Sequence, residues 1–189
     1  MKRWMNAAMN AVWFSLLVST AAHADVLTGT RTITLGNAQG ERIVIGQITF
    51  TPEADGKSRF SIVLDEKLGE YFLAMRPFRC LTGPKQRLCN FPVENEAPLV
   101  SPADLTPLEY ALMFMHTLPA ALHVNPFNGA YYRMKIDGER IDGRQHDVDM
   151  DPFIAPTSVP LERRKRPLRD EDLTLADERS HWLPQLTIE

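Results

Sequence analysis

Short alternating segments separated by turns fill the first half of this chain and constrain its fold more than any other feature. Residues 59–65 alternate between polar and apolar side chains, which places three apolar residues on one face of an extended strand: Phe60, Ile62 and Leu64. Residues 28–35 and 42–51 form similar segments, and turns rich in Gly, Asn and Pro separate them. Because no helical pattern intervenes, we expect these strands to pair in antiparallel order rather than in βαβ units.

Two segments depart from simple alternation. In residues 42–51 the apolar parity changes around Gly46, which is typical of a β-bulge, although burial of both faces would give the same pattern. Residues 71–75 are apolar on both parities, which predicts a strand covered on both faces. Pro77 then ends the regular pairing of that strand or places it at a sheet edge.

The second half contains one predicted helix, at residues 106–117, and one predicted hairpin. Thr106, Pro107 and Glu109 form a capping box with Pro at the first helical position, and Leu118-Pro119 ends the pattern. In the hairpin, residues 131–136 alternate between the two faces of a strand, and Asp137-Gly138 suits a type I′ turn. Residues 144–150 are predicted as a further strand. The whole pattern predicts a mainly β (α+β) fold: an antiparallel sheet with one buried helix, in a partly closed barrel or a sandwich.

The last part of the chain has a different composition. Residues 156–189 contain several prolines, a basic run and an acidic run, so we expect a charged tail that is mostly extended or disordered. A short helix near residues 172–179 is an alternative. The β-rich domain would then span residues 25–155. The basic run is a candidate contact for anionic surfaces: Arg163, Arg164, Lys165 and Arg166. The alternative is a solvated or protease-sensitive linker.

Residues 1–24 have the three parts of a cleavable signal peptide. Lys2 and Arg3 precede an apolar stretch at residues 11–22, and Ala22-His23-Ala24 supplies small residues before Asp25. We therefore expect cleavage after Ala24 and an exported protein, periplasmic if bacterial and otherwise secreted. No cysteine lies near that point to carry a lipid, and no other apolar run is long enough to span a membrane.

Charge argues against a nucleic-acid partner. The signal segment holds two of the 21 basic residues and none of the 24 acidic ones, so the mature chain carries a net charge of −5.

In architecture alone, an exported antiparallel sheet with one helix is similar to small barrel proteins of the lipocalin kind. That resemblance implies no functional residue.

Cys80 and Cys89 are the only cysteines, and Gly83-Pro84 between them is a turn signal. An even number of cysteines in an oxidising compartment predicts a disulfide between them. A redox-active pair is the alternative, but such pairs usually have C-x-x-C spacing. A metal site would need further ligands nearby in the sequence.

Three aspartates at alternate positions form the most suggestive cluster: Asp147, Asp149 and Asp151. On a strand they would share one face, and carboxylate oxygens suit a divalent cation such as Ca²⁺. Pro152 and Ser158 stand where a calcium loop requires Gly and a bidentate Glu, however. The alternative is a solvated strand edge that discourages aggregation, and no other cofactor is expected.

A copper site is a further alternative, with soft ligands at Met113, Met115, His116 and His123. On the predicted helix, residues two apart do not face each other, so we expect the methionines to fill the core instead.

The residues contain no catalytic signature motif. The leading hypothesis is a non-enzymatic envelope protein whose β domain binds a small apolar ligand or a protein partner. Its basis is the two-sided apolar strand at residues 71–75 and the aromatic pair Tyr131-Tyr132. One alternative is a hydrolase with a site around His146, Asp147 and Asp149. Another is a scaffold or assembly factor that acts through the charged tail.

Overall fold

The computed structural model describes residues 26–73, 76–93, 97–125, 127–150 and 168–189. Several predicted sites lie outside these ranges: Ala22, Ala24 and Asp25 at the cleavage point, Asp151, and the basic run Arg163, Arg164, Lys165 and Arg166.

Twelve β-strands and one short α-helix, with two short 3-10 turns, form the secondary structure of the described residues. In chain order they are β1 Gly29–Gly36, β2 Arg42–Pro52, β3 Ser58–Leu64, β4 Gly69–Leu73, β5 Arg76–Thr82, β6 Arg87–Asn90, β7 Leu99–Val100, α1 Thr106–Ala111, β8 Phe114–Thr117, β9 Gly129–Asp137, β10 Arg140–Val148, β11 Leu173–Leu175 and β12 Gln185–Ile188. Within the described ranges, no helix is long and apolar enough to cross a membrane.

All twelve strands belong to one antiparallel sheet, as the sequence pattern predicts. The strand order is β4-β5-β6-β8-β9-β10-β12-β1-β2-β3-β7, with β11 added to β10, and the two end strands do not pair to close it. Phe50 of β2 and Leu88 of β6 lie in the same buried cluster although they are distant in strand order. The sheet therefore curls so that these distant strands share one buried cluster.

The predicted β-bulge is present in β2. Ile33 of β1 pairs with Gly46, but Thr34 pairs with Val44, so Ile45 is the extra residue. Ile45 is fully buried. Gly46 is required beside it, because a Cβ atom there would lie 2.4 Å from the carbonyl oxygen of Val63.

The disulfide prediction is also confirmed. Cys80 on β5 lies directly opposite Cys89 on β6, and the two side chains are joined.

The predicted turn at Asp137-Gly138, between β9 and β10, needs a correction. Asp137 pairs with Arg140, which leaves Gly138 and Glu139 as the two loop residues. Only Gly138 has a positive φ, +64°, so the turn has the glycine-first pattern of type II′.

The predicted helix at 106–117 is wrong beyond Ala111. Helix α1 ends there, and Phe114–Thr117 form strand β8 between β6 and β9. A short apolar run fits a buried strand as well as a buried helix, and here pairing on both sides decides for the strand. The capping box is absent too, because Leu105 is the N-cap and the Glu109 side chain points into the domain.

The strand predicted at residues 71–75 to be covered on both faces is instead the edge strand β4. Phe72 is 68% exposed, while Leu73 is buried. The predicted edge position agrees with the place of β4 at one end of the strand order. The apolar residues on both parities of this segment thus reflect one buried face of the strand and one exposed apolar side chain on the other face. Residues 74 and 75 lie outside the described ranges.

The C-terminal boundary needs the largest correction. The C-terminal segment, residues 168–189, is part of the domain rather than a tail, since β12 lies between β1 and β10. Ile188 pairs with Ile33 on one side and Ile141 on the other, and all three are fully buried. In place of a helix at 172–179, the chain forms a short 3-10 turn followed by β11.

Candidate functional site

Three ionisable side chains from different parts of the chain meet at one end of the sheet. They are His116 of β8, Asp147 of β10 and His181 of the loop between β11 and β12. Each offers one ligand atom, and these three atoms all lie within 4.8 Å of one another. We call this group the histidine–aspartate cluster.

β8 positions His116 through its pairing with both neighbours. Leu88 of β6 stands opposite His116, and on the other side the His116 backbone N–H donates to the carbonyl oxygen of Asn128 at 2.9 Å. Met115 and Thr117, the adjacent residues, are buried. Because side chains alternate along a strand, this pairing fixes the direction in which the imidazole points.

Asp147 is held near the end of β10, where Ala130 and Thr174 are its strand partners. The Nε2 atom of Gln145 lies 3.4 Å from Oδ1 of Asp147, on the same face of the strand. Gln145 is 2% exposed, and its Oε1 atom has no hydrogen-bond partner among the described residues. A buried amide beside the carboxylate therefore orients it.

His181 sits in a turn organised by Asp177. The backbone N–H groups of Ser180 and His181 both donate to the carbonyl oxygen of Asp177. The Nδ1 atom of His181 lies 3.0 Å from that same oxygen, and Nε2 lies 2.9 Å from Oδ1 of Asp147. A proton on Nδ1 would satisfy the Asp177 carbonyl oxygen, which only accepts hydrogen bonds, and Nε2 is the atom presented to the cluster.

The charges of the three groups are coupled. The hydrogen bond to Asp147 raises the pKa of His181, against the opposing effect of burial. Burial alone would raise the pKa of Asp147, but the hydrogen bond and the charge of His181 lower it overall. Burial, and then the nearby charge of His181, lower the pKa of His116. At a pH below the raised pKa of His181 and above the lowered pKa values of Asp147 and His116, the cluster is thus an imidazolium–carboxylate pair beside a neutral imidazole.

A cleft of about 680 Å³ opens beside the cluster, and His116 and His181 form part of its wall. Most of its other lining residues are polar or charged, including Lys85, Asn128 and Arg179. We call it the histidine cleft. Such a lining suits an ion or a polar ligand better than an apolar molecule.

Trp182 joins the histidine cleft to the disulfide hairpin. Its Nε1–H donates to Glu41 at 2.9 Å, and its backbone N–H donates to the Gln86 side chain at 3.1 Å. Its ring packs on Gly83, where a Cβ atom would lie only 2.4 Å from two ring carbons. The Cys80–Cys89 hairpin therefore supports the residue next to His181.

Two imidazoles and one carboxylate are the donor set that proteins use for Zn²⁺ and similar transition-metal ions. His181 matches this use closely, because a metal-bound histidine usually donates its other ring N–H to a backbone carbonyl. The neutral His116 has a free lone pair as well. A three-ligand site of this kind would leave further coordination positions for water or a bound group.

Of the three predicted aspartates, the structure assigns one to a cluster of possible ligands within the described residues. Asp147 belongs to the histidine–aspartate cluster, Asp149 lies beyond the end of β10, and Asp151 is outside the described residues. A calcium site made of these three therefore stays a prediction. His146 alternates with Asp147 along the strand, and its Nδ1 contacts the carbonyl oxygen of Arg144.

Sequence reasoning missed the partners of Asp147. The sequence groups His116 with Met113, Met115 and His123, but the structure places both methionines in the core. His181 lies in a segment whose composition predicts a tail rather than a site. The available signal was the apolar pattern at Trp182, Leu183, Leu186 and Ile188, which indicates a docked segment.

A second buried ionisable pair lies under α1. The Tyr131 hydroxyl donates to Oε2 of Glu109, and the Met134 backbone N–H donates to Oε1 at 2.6 Å. Burial raises the pKa of Glu109 and of Tyr131. Both carboxylate oxygens have protein partners, so this pair ties α1 to β9.

Comparison with known proteins adds no functional assignment. No family profile matches the chain, and no curated protein matches it. Among solved structures, the chain is similar to a redesigned β barrel at 11% sequence identity, over 90% of this chain and 96% of that chain, with a TM-score of 0.30. A likeness of that size carries no argument.

Proposed function

We propose that this protein is exported and that its β domain is a binding module for a divalent transition-metal ion of the zinc class. His116, Asp147 and His181 are the ligands. The observation that carries this proposal is the convergence of three ligand atoms within 4.8 Å of one another.

Two features of the cluster support metal binding over a purely structural ion pair. The Asp177 carbonyl oxygen engages Nδ1 of His181, so Nε2 faces the other two ligands. His116 adds a third donor whose pKa is lowered, which keeps its lone pair available near neutral pH. A structural pair needs only His181 and Asp147.

Export is supported by the signal-like residues 1–24 and by the disulfide between Cys80 and Cys89. Mass spectrometry of the protein recovered from the cell envelope or medium should find a mature N-terminus at Asp25. An intact N-terminus in that fraction would contradict cleavage after Ala24.

The direct test is calorimetric titration of Zn²⁺ into the chain, purified without a polyhistidine tag and stripped with chelator. We expect one ion per chain, with His116→Ala and His181→Ala each weakening binding by at least about tenfold to a hundredfold. Substitution of Co²⁺ supplies a second readout, because visible absorption bands report the nitrogen and oxygen ligand field.

His146→Ala is the matched control, since His146 precedes Asp147 on β10 and lies outside the cluster. It should bind Zn²⁺ like the wild type. Absence of stoichiometric binding by the folded wild-type chain would refute the proposal, and so would equal losses in His146→Ala and His181→Ala.

A hydrolase is the second candidate function, favoured by the contact of both histidines with the histidine cleft. A Zn²⁺ ion held by His116, Asp147 and His181 would leave a coordination position for water and would lower the pKa of that water. The test is hydrolysis of activated esters by the zinc-loaded chain. Turnover that persists in His181→Ala would exclude the cluster as its source.

A further inference from the structure

Gln145 places a buried side-chain amide against the histidine–aspartate cluster. Gln145 and Asp147 are two residues apart on β10, so their side chains emerge on the same face of the strand. The Nε2 atom of Gln145 lies 3.4 Å from Oδ1 of Asp147, the same oxygen that Nε2 of His181 contacts at 2.9 Å. Gln145 is 2% exposed, so its amide lies buried at the cluster.

The backbone of Gln145 is fixed by three neighbouring segments. Its N–H donates to the carbonyl oxygen of Pro184 at 2.9 Å, and its own carbonyl oxygen accepts the N–H of Ala176 at 3.2 Å. Tyr132 of β9 is its strand partner. The point from which the side chain leaves the strand is therefore set, and the amide can be reoriented only through the side-chain torsions.

The amide hydrogen-bonds poorly in this orientation. Its 3.4 Å contact with Asp147 is longer than the usual range of about 2.7–3.2 Å for an N–H donor and an oxygen acceptor. The Oε1 atom of Gln145 is buried and has no hydrogen-bond partner among the described residues. A buried oxygen without a partner costs free energy and is uncommon in native proteins, so this atom marks a place where a ligand is expected.

An amide can turn over in place, because its oxygen and nitrogen ends are nearly equal in size and its terminal torsion is broad and roughly two-fold. Turning over would bring Oε1 of Gln145 to the side of Asp147. Two oxygens side by side repel each other, but a divalent cation between them uses both as ligands.

We propose that Gln145 is a fourth protein ligand of the metal ion, through its side-chain carbonyl oxygen, and that its amide turns over when the ion binds. The proposal rests on the proposed metal site formed by His116, Asp147 and His181. It adds a harder donor to that set, since a carbonyl oxygen is a harder ligand than an imidazole nitrogen.

A fourth protein ligand bears on what the site does. Zinc sites that are closed by four protein ligands are structural, whereas catalytic sites keep one position for water. Two imidazole nitrogens, one carboxylate oxygen and one amide oxygen would complete a tetrahedral set. Ligation by Gln145 therefore favours a metal-binding role for the cluster over the hydrolase.

The test is calorimetric titration of Zn²⁺ into the untagged, chelator-stripped chain and three variants. Gln145→Met keeps the length of the side chain without its oxygen, and we expect it to bind at least about tenfold more weakly. Gln145→Glu restores an oxygen ligand and should bind at least as tightly as the wild type. Gln185→Met is the matched control and should bind like the wild type. Gln185 lies on the neighbouring β12 and lines a groove that contains no residue of the histidine–aspartate cluster.

Two readouts distinguish a ligand from a residue that only orients Asp147. An ionised carboxylate at position 145 cannot donate a hydrogen bond to Asp147, so an orienting role predicts that Gln145→Glu binds as weakly as Gln145→Met. The visible spectrum of the Co²⁺-loaded chain reports the ligands of the ion. It should change in Gln145→Met and stay unchanged in Gln185→Met.

Binding of Zn²⁺ by Gln145→Met with wild-type affinity would overturn the inference and leave the three-ligand site standing. Equal losses in Gln145→Met and Gln145→Glu would do the same, and so would a Co²⁺ spectrum that Gln145→Met leaves unchanged. A folded wild-type chain that binds no Zn²⁺ would instead refute the proposed function, so the two failures are distinguishable. Circular dichroism and an intact Cys80–Cys89 disulfide must show that each variant is folded.

Discussion

The Nε2 atom of His181 lies 2.9 Å from Oδ1 of Asp147, so an ion pair fastens the loop before β12 to strand β10. The His181 side chain is 8% exposed and the Asp147 side chain 37%. This contact places the C-terminal segment against the sheet and completes the histidine–aspartate cluster.

The stability that this pair contributes should depend on pH. The pKa of His181 is raised in the folded state, so its contribution is full below its unfolded value of 6.5 and is lost as the pH rises through the folded value. The pKa of Asp147 is lowered, so its contribution is present above 3.8 and is lost as the pH falls through the folded value. The contributions of His181 and Asp147 to the free energy of unfolding are therefore both present between about pH 4 and 6.5.

Urea unfolding of the wild type and His181→Gln, with chelator present, measures this dependence. We expect the substitution to cost about 1 kcal/mol more at about pH 5.5 than at about pH 8.5, after allowing for the partial exposure of Asp147. His146→Gln is the control and should show no such difference. A His181→Gln cost that is the same at both pH values would contradict the assigned pair.

Strand β12 should be essential to the fold. Ile188 is fully buried between β1 and β10, so Ile188→Ala should lower the free energy of unfolding by about 2–5 kcal/mol. Leu175→Ala, on the neighbouring β11, changes a residue that is 60% exposed and should stay within about 0.5 kcal/mol. Similar results for the two variants in urea unfolding would mean that the C-terminal segment is not part of the core.

Gly83 should tolerate no side chain. A Cβ atom at this position meets two ring carbons of Trp182 at 2.4 Å, and a rigid ring cannot yield like a flexible chain. We expect Gly83→Ala to lower the free energy of unfolding by about 1–3 kcal/mol and to shift tryptophan fluorescence. Gly69→Ala is the comparison, because its nearest contact would be an ordinary 3.4 Å to Tyr71. Equal stability of both variants would argue against the packing of Trp182 on the hairpin.

Arg87 should stabilise the domain far more than an exposed arginine does. Arg87→Met leaves the carbonyl oxygens of Pro119 and Ala121 without their donors and removes a guanidinium that stacks 4.2 Å from the Tyr71 ring centroid. We expect a loss of about 2–4 kcal/mol and faster hydrogen exchange at the Ala121 amide. Arg59→Met breaks an exposed pair with Glu53 and should cost no more than about 1 kcal/mol. Unchanged hydrogen exchange at the Ala121 amide in Arg87→Met would show that Arg87 does not stabilise the connection between β8 and β9.

The parts of the fold that were predictable depend on local patterns. Alternation in β3, the phase change at the Gly46 bulge and the turn between Cys80 and Cys89 each follow from a few consecutive residues. Strand β8 was not predictable in this way, because its apolar run fits a helix or a strand equally well. Its pairing with β6 and β9 decides between them.

The candidate site was likewise predictable only where it depends on a local pattern. Asp147 stands out in the sequence among alternate aspartates, but neither histidine partner lies near it along the chain. Only the docking of the C-terminal segment brings His181 to Asp147, and only the pairing of β8 turns His116 toward them.

By itself, the sequence determined the antiparallel strands, their turns and the disulfide, because these depend on side-chain period, turn residues and cysteine spacing. The tertiary structure alone decided the place of β12 between β1 and β10, the pairing of β8 with β6 and β9 and the assembly of the histidine–aspartate cluster. These features depend on which distant segments bury one another, and a local apolar pattern shows that a segment is buried without showing which segment covers it.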